Sequence, residues 1–181
     1  MILSDRELVE MLREPRTRRE GFAVLVKQYS EKLYWKVRRI VLSHEDANDV
    51  LQNVFIKVWN NLQNFQGKSS LSTWLYRIAI NESLDFLRKQ KMADMVSSDE
   101  DLSVSSRLMS DEYFDGDEIQ ARLQEAVARL PEVQRTVFNL KYFEEMKYSE
   151  ISQILNTSEG ALKASYHLAV KKITEYLHLF D

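Results

Sequence analysis

In residues 22–41 apolar side chains return every third or fourth position: Phe22, Leu25, Val26, Tyr29, Leu33, Val37, Ile40 and Val41. That is the repeat of one face of an α-helix, and it predicts a helix over residues 20–43. The same rhythm predicts helices over residues 5–14, 45–62 and 71–91, and again over 118–130, 132–143, 149–155 and 159–178. Only two prolines and four glycines punctuate the 181 residues. So few breakers favour helices over turn-rich β architecture. Pro131 follows Leu130, where it ends one helix and suits the first turn of the next. The expected fold class is all-α.

Composition narrows the function classes. A 44% hydrophobic and 29% charged chain has the means to build a packed core. No apolar run approaches the ~18 residues that would span a bilayer, and the opening MILSDRELVEMLREPRTRRE alternates charge with apolar residues. A soluble cytoplasmic protein without membrane insertion is expected. Cysteine is absent, which rules out disulfides, thiolate zinc sites and a thiol nucleophile. His44, His167 and His178 are scattered, without metal-ligand spacing. No metal and no cofactor are expected.

Charge is divided unevenly. Residues 94–118 hold nine acids and one base, Arg107, a net −8 within an overall −3, so the rest of the chain stands at +5. The segment 92–117 also loses the helical repeat and fills with Ser, Asp and Glu, as a linker does. Two helical domains joined by an acidic tether are therefore expected.

Three constellations carry chemistry. The first is a helix-turn-helix pattern: YSEISQIL, the turn NTS, then EGALKASYHLAVKKITEYL. Asn156 accepts a left-handed turn conformation, and Ser158 is a good N-cap for the second helix. Leu162, Tyr166, Ala169, Ile173 and Leu177 form its buried stripe. Glu159, Gly160, Lys163, Ala164, His167 and Lys171 fall on other faces, where small residues permit close approach to a groove and lysines reach phosphates. A plain helical hairpin with a solvated face fits the same spacing.

The second is the helix over 45–62. Ala47, Val50, Leu51, Val54, Phe55, Val58 and Leu62 make its core stripe. Opposite lie Asp49, Gln52, Asn53 and Asn60, with apolar Ile56 among them, a pattern suited to the centre of a protein contact. A lone apolar residue on a polar face is also commonplace.

The third is SSLSTWLYRIAINESLDFLRKQK, residues 69–91. Leu71, Leu75, Ile78, Ala79 and Phe86 face one way and Tyr76, Ile80, Leu84 and Leu87 another. Between them, within about 60° of arc at 100° per residue, lie Trp74, Arg77, Asn81 and Arg88. A ring, two guanidinium groups and an amide can stack on bases, bind phosphate and read base edges. Residues 66–91 carry five bases and two acids. The loop before the helix, with Lys68 and Ser69, is rich in donors and suits a pocket for an unstacked base. The competing reading is a Trp packed at a helix junction with arginines in solvent.

These elements, in this order, resemble the small extracytoplasmic-function sigma factors of bacterial RNA polymerase. The motifs that carry the resemblance are HEDANDVLQNVFIKVW, SLSTWLYRIAINESLDFLR, LPEVQRTVFNLKYFEEMKYSEISQIL and SEGALKAS. The resemblance implies that residues 1–91 are sigma region 2, which docks on polymerase and engages and melts the minus-10 element. It implies that residues 92–117 thread toward the RNA exit path and that residues 118–181 are sigma region 4, reading the minus-35 element. In that frame Asp49, Gln52, Asn53, Ile56 and Asn60 grip the coiled coil of the largest polymerase subunit. Lys68, Ser69, Trp74, Arg77, Asn81 and Arg88 face the minus-10 DNA. Ser158, Glu159, Gly160, Lys163, Ala164, His167 and Lys171 face the minus-35 DNA, with region 4 docked on the flap of the second-largest subunit. An anti-sigma factor is a further implied partner.

The chain departs from the family pattern at several positions. Asn48 and Asn53 stand where Glu is frequent, Glu145 where Gly is common, and Lys147 where a capping Ser is frequent. Ser165, Leu168 and Val170 occupy recognition-helix positions that often carry Arg. Fewer phosphate contacts weaken free DNA binding, so binding is expected to depend on polymerase. Two other classes remain at this point. A helix-turn-helix regulator would bind duplex DNA without melting it, usually as a dimer on a palindrome; no dimerising heptad stands out. An enzyme would need pre-organised groups, and the carboxylates concentrate in the linker.

Overall fold

The computed structural model describes residues 2–94 and 116–180, and among these every regular element is helical. The chain divides into two compact units, Met1–Met92 and Ala93–Asp181. Most of the expected linker, residues 95–115, lies outside the described residues.

The first unit contains α1 (Asp5–Arg13), α2 (Arg18–Val41), α3 (His44–Asn61), a 3-10 turn (Leu62–Asn64) and α4 (Leu71–Asp94). A capping box opens α1: Ser4 Oγ accepts from the Glu7 N–H at 3.3 Å, and the Glu7 carboxylate accepts from the Ser4 N–H at 2.8 Å. Those hydrogen bonds hold the Glu7 carboxyl below its ordinary range, and such caps contribute about 1 kcal/mol. Gly21 lets α2 lie against α1, since a Cβ there would sit 2.8 Å from Met11 Cβ. Leu42 ends α2 in a left-handed conformation, φ 69°, and Ser43 caps α3 by accepting from the Asp46 N–H. The core joins Leu8, Leu25, Leu33, Val37 and Ile40 to Val50, Val54 and Val58 of α3 and to Leu71, Leu75 and Ile80 of α4. Each fully buried leucine or isoleucine contributes roughly 1.5–3 kcal/mol.

The second unit contains α5 (Glu118–Ala128), α6 (Glu132–Phe138), a π turn (Asn139–Phe143), α7 (Tyr148–Leu155), α8 (Glu159–Leu177) and a 3-10 turn (His178–Phe180). Its core gathers Ala126, Val127, Leu130, Phe138, Ala169 and Ile173, with Tyr166, Phe143 and Leu177 packed around them. The helix expected over 132–143 is α only to Phe138. Beyond it the Glu144 N–H donates to the Asn139 carbonyl at 3.2 Å, a wider turn. This turn carries a cluster of rings: Tyr142 stacks on Phe138 at 5.0 Å, and Phe143 meets both edge-on. Pro131 is the N-cap of α6 rather than its first helical residue.

Candidate polymerase and nucleic-acid interfaces

The outer face of α3 follows from its repeat. Ala47, Val50, Val54 and Val58 are buried, which turns Asp49, Gln52, Asn53, Ile56 and Asn60 to solvent. Ile56 is 59% exposed. Trp59, which the sequence reading passed over, stands one turn further on; its ring meets Phe22 edge-on at 5.0 Å and remains 38% exposed. An ion pair from Lys57 to Glu82 ties this helix to α4. Asn48 points elsewhere and bonds His44 Nε2 at 3.0 Å, while His44 Nδ1 meets the Tyr34 hydroxyl at 2.8 Å. His44 is thus engaged in packing.

The loop and α4 form a second surface. Ser70 caps α4, with its Oγ accepting from the Thr73 N–H at 3.1 Å. Gly67 takes φ 70°, a left-handed conformation for which glycine is suited. Lys68 is exposed and Ser69 half-buried. Trp74 is half-buried, its ring 5.1 Å from that of Phe65. Arg77 is half-buried as well, and its Nε is sequestered from solvent without a hydrogen-bond acceptor among the described residues. Asn81 and Arg88 are exposed. Arg88 reaches Asp85 at 3.2 Å, an exposed pair of the kind worth ~0–1 kcal/mol and easily exchanged for phosphate.

On the Tyr76 face of α4 the fold adds a charge that the sequence reading missed. The Lys36 ammonium sits 4.0 Å from the centre of the Tyr76 ring. Burial first, then the nearby Arg39 and Lys32, push its pKa down to about 8. The spacing of Lys32, Lys36 and Arg39 along α2, one helical face, was the available signal.

The third surface is the helix-turn-helix. Asn156 ends α7 with φ 50°, its N–H donating to the Ser152 carbonyl. Ser158 Oγ accepts from the Ala161 N–H at 3.3 Å and starts α8. At the other end of α7 Lys147 supplies no capping oxygen, but the Glu150 carboxylate still accepts from the Lys147 N–H at 2.8 Å. Half of a capping box therefore survives the missing Ser. Ile151, Ile154 and Leu162 lock the two helices together, and Glu159, Gly160, Lys163, Ala164, His167 and Lys171 are all exposed. A Cβ at Gly160 would meet nothing within 4 Å, so the helix start is open. Lys163 and Lys141 lie 5.7 and 5.0 Å from the centre of the Tyr148 ring. Leu168 and Val170 are also exposed, at 46% and 38%.

Comparison with known proteins decides what these surfaces belong to. Sigma-70 region 2 matches residues 25–92, and Sigma-70 region 4 matches residues 120–173. The extracytoplasmic-function sigma factor SigW of Bacillus subtilis is 33% identical, across 82% of this chain and 84% of that protein. The chain belongs to the extracytoplasmic-function sigma factors. Sigma factors direct core RNA polymerase to promoters for DNA-templated initiation, and this one is a promoter-specificity subunit of that kind. The RNA polymerase sigma-H factor of Pseudomonas aeruginosa is 31% identical, across 96% of the chain and 93% of that protein. In fold, the sigma factor resembles RpoE of Bartonella quintana, solved with the anti-sigma factor NepR. The TM-score is 0.69 at 21% identity, covering 88% of this chain and 98% of that one. CnrH, solved with the cytosolic domain of CnrY, aligns with a TM-score of 0.67 over 98% of this chain and 99% of that one. Among the described residues no cluster is arranged to hold a metal ion, and no helix is long and apolar enough to cross a membrane.

Proposed function

We propose that each surface serves one step of promoter opening. The α3 face, centred on Ile56 with Asp49, Gln52, Asn53 and Asn60 around it, docks on the coiled coil of the largest polymerase subunit. The loop with Lys68 and Ser69, and the α4 stripe of Trp74, Arg77, Asn81 and Arg88, hold the non-template strand at the minus-10 element. The start of α8, from Ser158 to Lys171, reads the minus-35 element as duplex, with residues 118–181 on the flap of the second-largest subunit. The acidic segment 92–117 connects the two. The protein carries no catalytic activity of its own; its binding energy moves polymerase from closed to open complex. It works in the cytoplasm, and an anti-sigma factor covers it when transcription is off, as the relatives solved with such partners suggest.

The observation that carries this reading is the α4 stripe, where Trp74 and Arg77 are half-buried beside exposed Asn81 and Arg88. The amide and guanidinium are open to a base edge and a phosphate. A regulator that bound only duplex through α8 would have no use for that stripe. Asn81→Ala is expected to lower open-complex formation, read by permanganate reactivity of unpaired thymines, by roughly tenfold, about 1.4 kcal/mol. Core-polymerase affinity should change less than twofold. Equal loss of both would mean that Asn81 supports the fold rather than the strand.

A further inference from the structure

Leu168 of α8 is apolar, yet it is 46% exposed. The stripe that seats the helix runs through Leu162, Tyr166, Ala169 and Ile173. At 100° per residue Gly160, Ala164 and Lys171 point away from that stripe, and Leu168 lies about 40° from Ala164. Ala161 lies about 20° beyond Leu168 on the same flank. Ala161, Ala164 and Leu168 are all exposed, so successive turns of the outward face carry an aliphatic strip. Val170 is exposed too, but it stands about 40° from Tyr166, at the edge of the core stripe. Lys163, Lys171 and Lys172 are exposed around the strip. The first acid beyond it is Glu175, seven residues past Leu168 and ~10 Å further along the axis.

These surroundings select the occupant. An exposed leucine by itself is commonplace. Lysine is depleted at the centre of protein contacts, whereas three lysines around one aliphatic strip suit a polyanion. Leu168 also stands between His167 and Lys171, which the proposed function places at duplex DNA. It carries neither donor nor acceptor, so hydrogen bonding to a base edge is closed to it. The major groove presents one apolar group, the C5-methyl of thymine, and aliphatic side chains recognise it by contact. Seating that methyl against Leu168 and Ala164 removes all three groups from water.

We propose that Leu168 determines promoter specificity at one base pair: with Ala164 it reads the methyl group of a thymine in the major groove. Lys163 and Lys171 hold phosphates on either side of that base. The inference rests on the reading of α8 as the duplex-binding helix, and deepens it by naming the group recognised and a residue that recognises it.

The test assembles holoenzyme from core polymerase and the full chain, and selects bound promoter fragments from a pool randomised upstream. In the selected element each thymine in turn is replaced by uracil, which lacks only the methyl group. One replacement should weaken binding about fourfold, as loss of one buried methyl does. In Leu168→Ala the same replacement should cost less than about twofold, while the other thymines respond as before. Leu168→Arg should move the preference at that base pair from thymine to guanine, the partner of a bidentate guanidinium, by at least about fivefold. Thermal denaturation checks that both variants keep the fold. The proposal is overturned if no thymine responds to uracil, if the sensitive thymine responds equally in Leu168→Ala, or if Leu168→Arg still selects thymine there. In each of those cases α8 stays the duplex reader as long as Lys163→Ala weakens binding to the selected element. Selection of no upstream element, with no effect of Lys163→Ala, would sink the reading of α8 as well.

Discussion

Two side chains set the turn between α7 and α8: Asn156 takes the left-handed conformation and Ser158 caps α8. Both follow from side-chain chemistry alone, and both stand as expected. The depth of Arg77 does not follow. An arginine on the edge of an apolar stripe reads as solvated, and only the packing around α4 hides its Nε. The spacing of Lys36 with Lys32 and Arg39 was legible, but its partner ring was not, because Tyr76 comes from a helix forty residues along the chain. Glu145 is the residue at which sequence and geometry meet most sharply. It stands where the family commonly has Gly, and its φ is 51°. A side chain in that region costs ~1–2 kcal/mol relative to glycine, offset in part by the extra freedom of glycine in the unfolded chain. Glu145→Gly should therefore stabilise the protein by about 0.5–1 kcal/mol, read as a higher midpoint in thermal denaturation. A lower midpoint would show that the Glu145 side chain makes a contact outweighing the strain.

At the scale of elements, periodicity located every α-helix among the described residues, though not where each one ends. The stretch 132–143 keeps an apolar phase through to Phe143, so nothing in the repeat marks the change at Asn139. The π turn takes up one extra residue there, and it decides how Phe138, Tyr142 and Phe143 stack. The α3 face was legible because an amphipathic helix with one buried stripe has only one way to turn. Trp59 escaped notice because a ring can be half in the core and half out, which a two-class pattern does not express. That face gives a prediction for the element as a whole. Ile56→Asp places a charge in the middle of the proposed polymerase contact, where burial of an unpaired carboxylate is costly. Association with core polymerase should fall at least about a hundredfold, as loss of a central anchor does. Circular dichroism should be unchanged, since Ile56 is 59% exposed. Retained capture of core enzyme would refute the contact.

At the scale of the whole molecule, the proposed function divides the work between the two units. One holds groups suited to an opened strand, and the other a helix start open to a duplex groove. The fold class was fully readable, since few breakers and a sustained 3.6-residue repeat leave little else. The division of charge was readable too: the acidic stretch hides a surplus of +5 that falls entirely in residues 1–93, while residues 119–181 balance at zero. The approach of α1 to the loop before α4 was not readable, because the two lie some fifty residues apart and only the fold brings Arg13 to Gly67. The central claim is that this chain gives core polymerase both an address and the means to open it. In vitro transcription with purified core polymerase across a pool of promoter fragments tests that directly. The account predicts transcripts that depend on the added protein and start at a fixed distance from two shared upstream elements. Duplex binding that is as strong without core polymerase, with no dependent transcripts, would contradict it.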